Sequence, residues 1–218
     1  MAPSEYPKEL ITEEKKRIKA ETAHLTQRER LSRIQADSAE MEWAQIQASE
    51  YENRIYSFNG PVGTASAQNM IQQLGQWVRT DAEKPIKIVF NSPGGEVFSG
   101  LSLFDYIKEM QASGTQIDTV ALGMAASMGG VLLQAGNNRA MSKSSYLLIH
   151  EISSGAIGNL SEMEDEVKFA KRLQDRLLSI LAERSSLSKT AIKRRWKRKD
   201  WWLDADEALK LGFVDEVH

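Results

Sequence analysis

From Thr12 to Glu50 the chain contains neither glycine nor proline, and charge is dense. Ile11, Ile18 and Leu25 recur every seven residues there before Ile34 and Met41 resume the interval after a skip. This pattern predicts one long helix, or two, with a thin apolar seam. A seam this narrow buries little, so it reads as a solvated helical extension, with a contact surface for a subunit or partner as the sharper alternative. Near residue 55 the pattern changes to short apolar runs alternating with amphipathic stretches. Ile55–Phe58 reads as a strand, Thr64 as the cap of a helix whose Met70, Leu74 and Trp77 share a face, and Ile86–Phe90 as a second strand. Leu101, Phe104 and Ile107 mark a helix, Ile117–Leu122 a buried strand, Ala126–Ala135 a helix of small residues and Tyr146–Ile149 another strand. Met163, Val167, Ala170, Leu173, Leu177 and Leu181 trace one face of a long helix. Asp204 and Glu207 form a capping box for a short helix that Gly212 stops, and Phe213–Val217 closes as a strand. Strands separated by helices predict parallel βαβ units and an α/β fold. The expected organisation is a charged helical extension over residues 1–54 and a globular α/β domain over 55–218.

Composition narrows the chemistry. The 218 residues suit one domain with an appendage, and 41% hydrophobic with 27% charged residues is the balance of a chain that buries a core. The net charge of −2 supplies no global field to gather nucleic acid or an anionic membrane. With no cysteine, thiol nucleophiles, disulfides and thiolate zinc sites are excluded, and no cofactor or metal is implied. Met1–Leu10 lacks an apolar signal core, and no apolar run approaches the ~20 residues that span a bilayer, so a cytoplasmic protein is expected.

In α/β sheets reactive groups gather at the carboxyl ends of strands, which directs attention to the loops after Phe90, Leu122 and Ile149. The first, Asn91-Ser92-Pro93-Gly94-Gly95, can present free backbone N–H groups through its paired glycines, or can simply be a turn. The second, Gly123-Met124-Ala125-Ala126-Ser127-Met128-Gly129-Gly130, sets a serine among small residues at a strand-to-helix turn, where a nucleophile or a plain helix cap could sit. Ala125 stands where the G-x-S-x-G elbow has glycine, which argues against an ordinary α/β-hydrolase. The third begins with His150. His24 lies in the charged extension and His218 ends the sequence, leaving His150 as the general-base candidate. Spacing does not choose an orienting acid among Asp165, Asp175, Asp200, Asp204 and Asp206. Lys189–Lys199 holds seven basic residues and a tryptophan; it reads as a solvated helix face around Ile192 and Trp196 rather than a nucleic-acid site.

Four segments in order carry a family resemblance: Asn91–Gly95, Gly123–Gly129, Leu148-Ile149-His150, and Asp200-Trp201-Trp202-Leu203-Asp204-Ala205-Asp206-Glu207-Ala208 followed by Gly212-Phe213-Val214-Asp215. From about Ile55 onward the chain resembles the proteolytic subunit of the Clp protease, a ClpP/crotonase-like fold. The resemblance implies a serine endopeptidase with Ser127 as nucleophile, His150 as general base, Asp200 as orienting acid, and the Gly95 and Met128 N–H groups as oxyanion hole. It further implies two stacked heptameric rings enclosing a chamber, an AAA+ unfoldase as partner, and unfolded proteins or peptides as substrates. The extension replaces the family's short N-terminal pore loops, and Ser153–Asp165, with Gly155 and Gly158, occupies the place of the handle that joins rings. Phage head-maturation proteases share these motifs. The competing readings are a crotonase-like acyl-CoA enzyme, a non-catalytic ring component, and a serine–lysine peptidase with Lys143 as base.

Overall fold

The computed structural model describes residues 8–153 and 155–218; the remainder, including most of the Met1–Leu10 segment and Ser154, lie outside the described residues. The chain divides into two compact units, Met1–Glu50 and Tyr51–His218. The first is the bulk of helix α1, Lys8–Glu52, which at ~1.5 Å per residue gives 45 residues a length of about 67 Å. With no helix breaker after Lys8, nothing in the sequence interrupts it. Leu25, Ile34 and Met41 of the seam are each more than half exposed, while the side chains of Ile11 and Ile18 lie outside those described.

The second unit contains β1 (Ile55–Asn59), α2 (Thr64–Thr80), β2 (Ile86–Ser92), α3 (Val97–Ala112), β3 (Ile117–Ala126), α4 (Met128–Leu133), β4 (Arg139–Met141), β5 (Tyr146–Ile149), α5 (Leu160–Glu183), α6 (Lys189–Trp196), β6 (Trp201–Leu203), α7 (Ala205–Lys210) and β7 (Glu216–Val217). Strands run β1-β2-β3-β4-β7, all parallel. The sheet forks along β3. Thr119–Ala121 pair with Arg139–Met141 of β4, whereas Met124–Ala126 pair with Tyr146–Leu148 of β5. A register irregularity between Phe90 and Ser92 and the left-handed Gly123 (φ 86°) lie at the fork, where a bulged strand can turn from one neighbour to another. Beyond it, β6 pairs antiparallel with β5.

Period-2 alternation puts Ile86, Ile88 and Phe90 of β2 in the core, where Phe90 meets Phe58 at 5.7 Å between ring centroids. Met70, Leu74 and Trp77 of α2 are buried in the same core, as their spacing predicts. Several local expectations change. Gly63, not Thr64, is the N-cap of α2; the Gly63 N–H donates to Ser66 Oγ at 2.9 Å, and Thr64 Oγ1 donates instead to Glu96 Oε2. The buried face of α3 is Gly100, Leu103 and Ile107, leaving Leu101 and Phe104 half-buried. Ala126 ends β3 and Ala135 follows α4, so the small-residue helix is shorter than its composition predicts. Met163 and Val167 on α5 are exposed, burial beginning with Leu177 and Leu178. Strand pairing at the end of the chain is confined to Glu216–Val217 because Phe213 and Val214 are buried against the core instead. The capping box of Asp204 and Glu207 is present, with Glu207 N–H to Asp204 Oδ1 at 2.8 Å, and Gly212 is left-handed.

Short β4 is unforeseen because an electrostatic tie holds it. Arg139 donates from Nε to Asp215 Oδ2 (2.9 Å), from Nη2 to Asp215 Oδ1 (2.6 Å) and from Nη1 to Gln134 Oε1 (2.7 Å). The guanidinium holds the Asp215 carboxyl below the usual carboxylate range.

Candidate active site

Buried Ala125 and Ala126 bring β3 to its end, and Ser127 turns at once into α4 with φ 54° and ψ −120°. A positive φ at a residue with a Cβ costs on the order of 1–3 kcal/mol and persists only where the surroundings enforce it. Here they do. The Ser127 N–H donates to Leu148 O at 2.9 Å, and the Ser127 carbonyl accepts from Gly130 N (3.0 Å) and Val131 N (3.2 Å). Gly94 (φ 90°) lies so close that a Cβ there would stand 2.6 Å from Ser127 Cβ and 2.9 Å from Met128 N. The small residues of the two loops are thus needed for contact between their backbones, and Ser127 is lifted on a strained strand-to-helix elbow.

The Pro93-Gly94-Gly95 turn is fixed from its other side by Val62. Val62 N–H donates to Gly94 O (2.8 Å), and Glu96 N–H donates to Val62 O (2.9 Å), the two bonds of a parallel bridge across Gly95. A residue bracketed in this way directs its own N–H to the opposite side. Gly95 has φ 149°, and a Cβ on it would meet Val62 O at 2.1 Å. Among the described residues neither the Gly95 N–H nor the Met128 N–H is donated to a backbone acceptor outside the regular elements, and Met128, as first residue of α4, has no intrahelical acceptor.

Gly95, Ser127, Met128 and His150 all line one cavity of about 180 Å³. Its apolar wall comes from Val131, Ile149, Leu177, Leu181 and Trp196. Sequence reasoning missed that wall as a site feature: Leu177 and Leu181 read as a helix face and Trp196 as the middle of a basic run, with no signal in either that they meet at a cleft. His150 is half-buried, one residue past β5. Asp200 does not line the cavity; it is exposed, one residue before β6. The antiparallel ladder pairs Leu147 with Leu203, Leu148 with Trp202 and Ile149 with Trp201. His150 follows and Asp200 precedes the last pair of that ladder, Ile149 with Trp201, so the two residues flank the same end of the β5–β6 pairing. Among the described residues no hydrogen bond joins Ser127 to His150 or His150 to Asp200 through their side chains. Catalytic hydrogen bonds of this kind commonly tighten only around substrate. Of the other acids, Asp204 is engaged in capping, Asp165 and Asp175 pair with Lys168 and Lys189, and none of them, nor Asp206, lines the cavity. Lys143 is exposed and away from it as well.

Residues 35–218 match the family described as Clp protease. The chain belongs to that family. It is 34% identical over 167 residues to the ATP-dependent Clp protease proteolytic subunit of Deinococcus radiodurans, covering 76% of this chain and 80% of that protein. It is also 34% identical over 169 residues to the protein of the same description from Bacteroides fragilis, covering 76% and 79%. Membership makes the chain a serine-type endopeptidase with the Clp protease α/β fold, and the crotonase-like acyl-CoA reading is set aside. The family match begins within α1, ahead of Ile55. Among the described residues no helix is long and apolar enough to cross a membrane.

Proposed function

We propose that this Clp protease hydrolyses peptide bonds with Ser127 as nucleophile, His150 as general base and Asp200 as the residue that orients it. The observation that carries this reading is the shared cavity of Ser127, His150, Gly95 and Met128, with two unshared N–H groups beside a strained serine. Ser127 Oγ attacks the scissile carbonyl as His150 takes its proton, and the oxyanion that forms accepts from Gly95 and Met128 N–H. His150 then gives the proton to the leaving amine, and a water activated by the same imidazole releases the acyl group from Ser127. Asp200, next to the last β5–β6 pair of Ile149 and Trp201 as His150 is, holds the useful tautomer in this reading. The wall of Val131, Leu177, Leu181 and Trp196 suits an apolar side chain next to the cut bond.

The assembly is oligomeric, and its proposed form is two stacked seven-membered rings around a chamber that admits unfolded proteins or peptides. The description of the relatives as ATP-dependent proteolytic subunits supports an AAA+ unfoldase as partner and a cytoplasmic setting. Residues 1–54 would then be an extension to a peptidase domain of residues 55–218. The described residues of 151–159 form neither helix nor strand, and α5 begins with Leu160, in the segment proposed to join the rings.

Hydrolysis of a fluorogenic peptide with an apolar residue before the cut bond tests the assignment. Ser127→Ala is expected to lower kcat by about 10⁶, the scale of losing a triad serine. Equal rates for the two proteins would mean that the nucleophile lies elsewhere. Light scattering with and without the first fifty residues reads the oligomer, and a monomer in both samples would contradict the chamber.

A further inference from the structure

The basic run at residues 189–199 has no part in the chemistry above. In α6, Ile192 and Trp196 turn into the core, which leaves Lys189, Lys193, Arg194 and Lys197 on the outer side. There they meet Lys171 and Arg172 of α5 along a surface groove. One part of it, about 620 Å³, is lined by Lys171, Arg172, Asp175, Leu178 and Lys193. A second, about 650 Å³, takes in the same Asp175, Leu178 and Lys193 and continues past Arg194 and Lys197 to Glu151. Glu151 follows His150 directly and lines both the catalytic cavity and the groove, so the two meet at that residue. Six bases therefore face two acids, and among the described residues the ion pair in the groove is Lys189 with Asp175 at 3.5 Å. The positive charge stands out on a chain whose net charge is −2.

We propose that this α5–α6 groove extends the substrate cleft and holds an acidic segment of the polypeptide being cut, making the enzyme selective for chains with Asp or Glu a few residues from the scissile bond. The inference rests on the peptidase reading given above. An extended substrate bound across Ser127 and His150 must leave the cavity past its rim, and Glu151 marks a rim that gives onto lysine and arginine. A cluster of like charge so placed attracts the opposite charge and rejects its own. A nucleic-acid ligand is disfavoured because the tryptophan within the run, Trp196, is buried and offers no face for a base to stack on.

The test uses the full-length assembled protein and two fluorogenic peptides with the same apolar residues at the cut bond, one with neutral and one with Asp/Glu-rich flanks. The ratio of kcat/KM, acidic over neutral, should be on the order of tenfold at low ionic strength and approach one near 1 M salt, where the screening length is ~3 Å. The triple change Lys193→Gln, Arg194→Gln, Lys197→Gln should abolish the ratio, and the corresponding change to Glu should invert it, with turnover of the neutral peptide unchanged in both. A ratio near one in the wild type, or one insensitive to salt, overturns the proposal. So does a changed oligomer size in the variants, which would make the groove an interface between copies. Tighter binding of a labelled single-stranded oligonucleotide than of the acidic peptide would also overturn it by reassigning the groove to nucleic acid. Should the wild type cut neither peptide, the triad assignment fails by itself; fluorescence anisotropy of the labelled acidic peptide, weakened by salt and by the Glu variant, still decides the groove.

Discussion

Around Ser127 the main chain is pinned: its N–H is bonded to Leu148, its carbonyl takes two N–H groups from α4, and Gly94 has no room for a methyl group beside it. Around Asp200 the arrangement is looser. The side chain is exposed, Arg198 just before it is left-handed at φ 58°, and β6, which sets its register, is three residues long. The proposed nucleophile and oxyanion donors therefore sit at the buried junction of β2, β3 and α4, whereas the proposed orienting acid lies beside a short ladder at the surface. Local stability differs in the same sense, since exposed backbone with few buried contacts opens at lower free energy than core.

Three substitutions would break or sharpen that contrast. The largest effect is expected from Asp200→Ala, which should lower kcat by about 10⁴ in line with triad precedents while leaving the melting temperature in place. A drop in Tm alongside the loss of activity would mean that Asp200 holds the fold rather than the imidazole. Next is Gly94→Ala. A Cβ would clash at 2.6 Å with both Ser127 Cβ and Ala126 O at a backbone φ of 90°, so the elbow must shift. Activity should fall by roughly 10²–10³, the scale of losing an oxyanion donor or misplacing a nucleophile by about an ångström, and Tm should fall with it. Unchanged kinetics and melting would contradict the pinned description of this side. Smallest is Asp215→Asn, far from the chemistry, where Arg139 is buried but Asp215 is 43% exposed. Urea unfolding at pH 7 should register a loss of about 1–2 kcal/mol, discounted for that exposure. Because the folded-state carboxyl is shifted down, its contribution is present above the ordinary aspartate pKa and is lost as pH falls through the folded value. The gap between wild type and variant should therefore close in acid, with peptidase activity at neutral pH unaffected.

Much of this was legible in the chain because burial imposes a period. Alternating residues in β2, the Met70, Leu74 and Trp77 face of α2 and the capping box at Asp204 all follow from local rules. The loop chemistry was legible for a similar reason: only glycines and a serine among small residues fit where backbones touch. What could not be read is long-range. The fork of β3, which brings β5 next to the elbow, depends on a register irregularity that leaves no compositional mark. Strand β4 is three residues held by a side-chain tie to Asp215, distant in sequence. The proposal of Asp200 among five acids draws on the β5–β6 pairing, whose last pair, Ile149 with Trp201, adjoins His150 and Asp200 and which no spacing rule predicts. Trp196 joins the cleft wall because α6 packs inward, whereas its sequence neighbours announce a charged surface.

Covalent labelling is the most direct test that the side chains flanking the ends of β3, β5 and β6 act as one unit. The assembled wild type, His150→Ala and Asp200→Ala are treated with a fluorophosphonate, and the modified residue is located by peptide mass spectrometry. A single adduct on Ser127 is expected, formed rapidly in the wild type, slowly without Asp200 and not measurably without His150. An adduct on another serine, or labelling of Ser127 at the same rate in all three proteins, would contradict it.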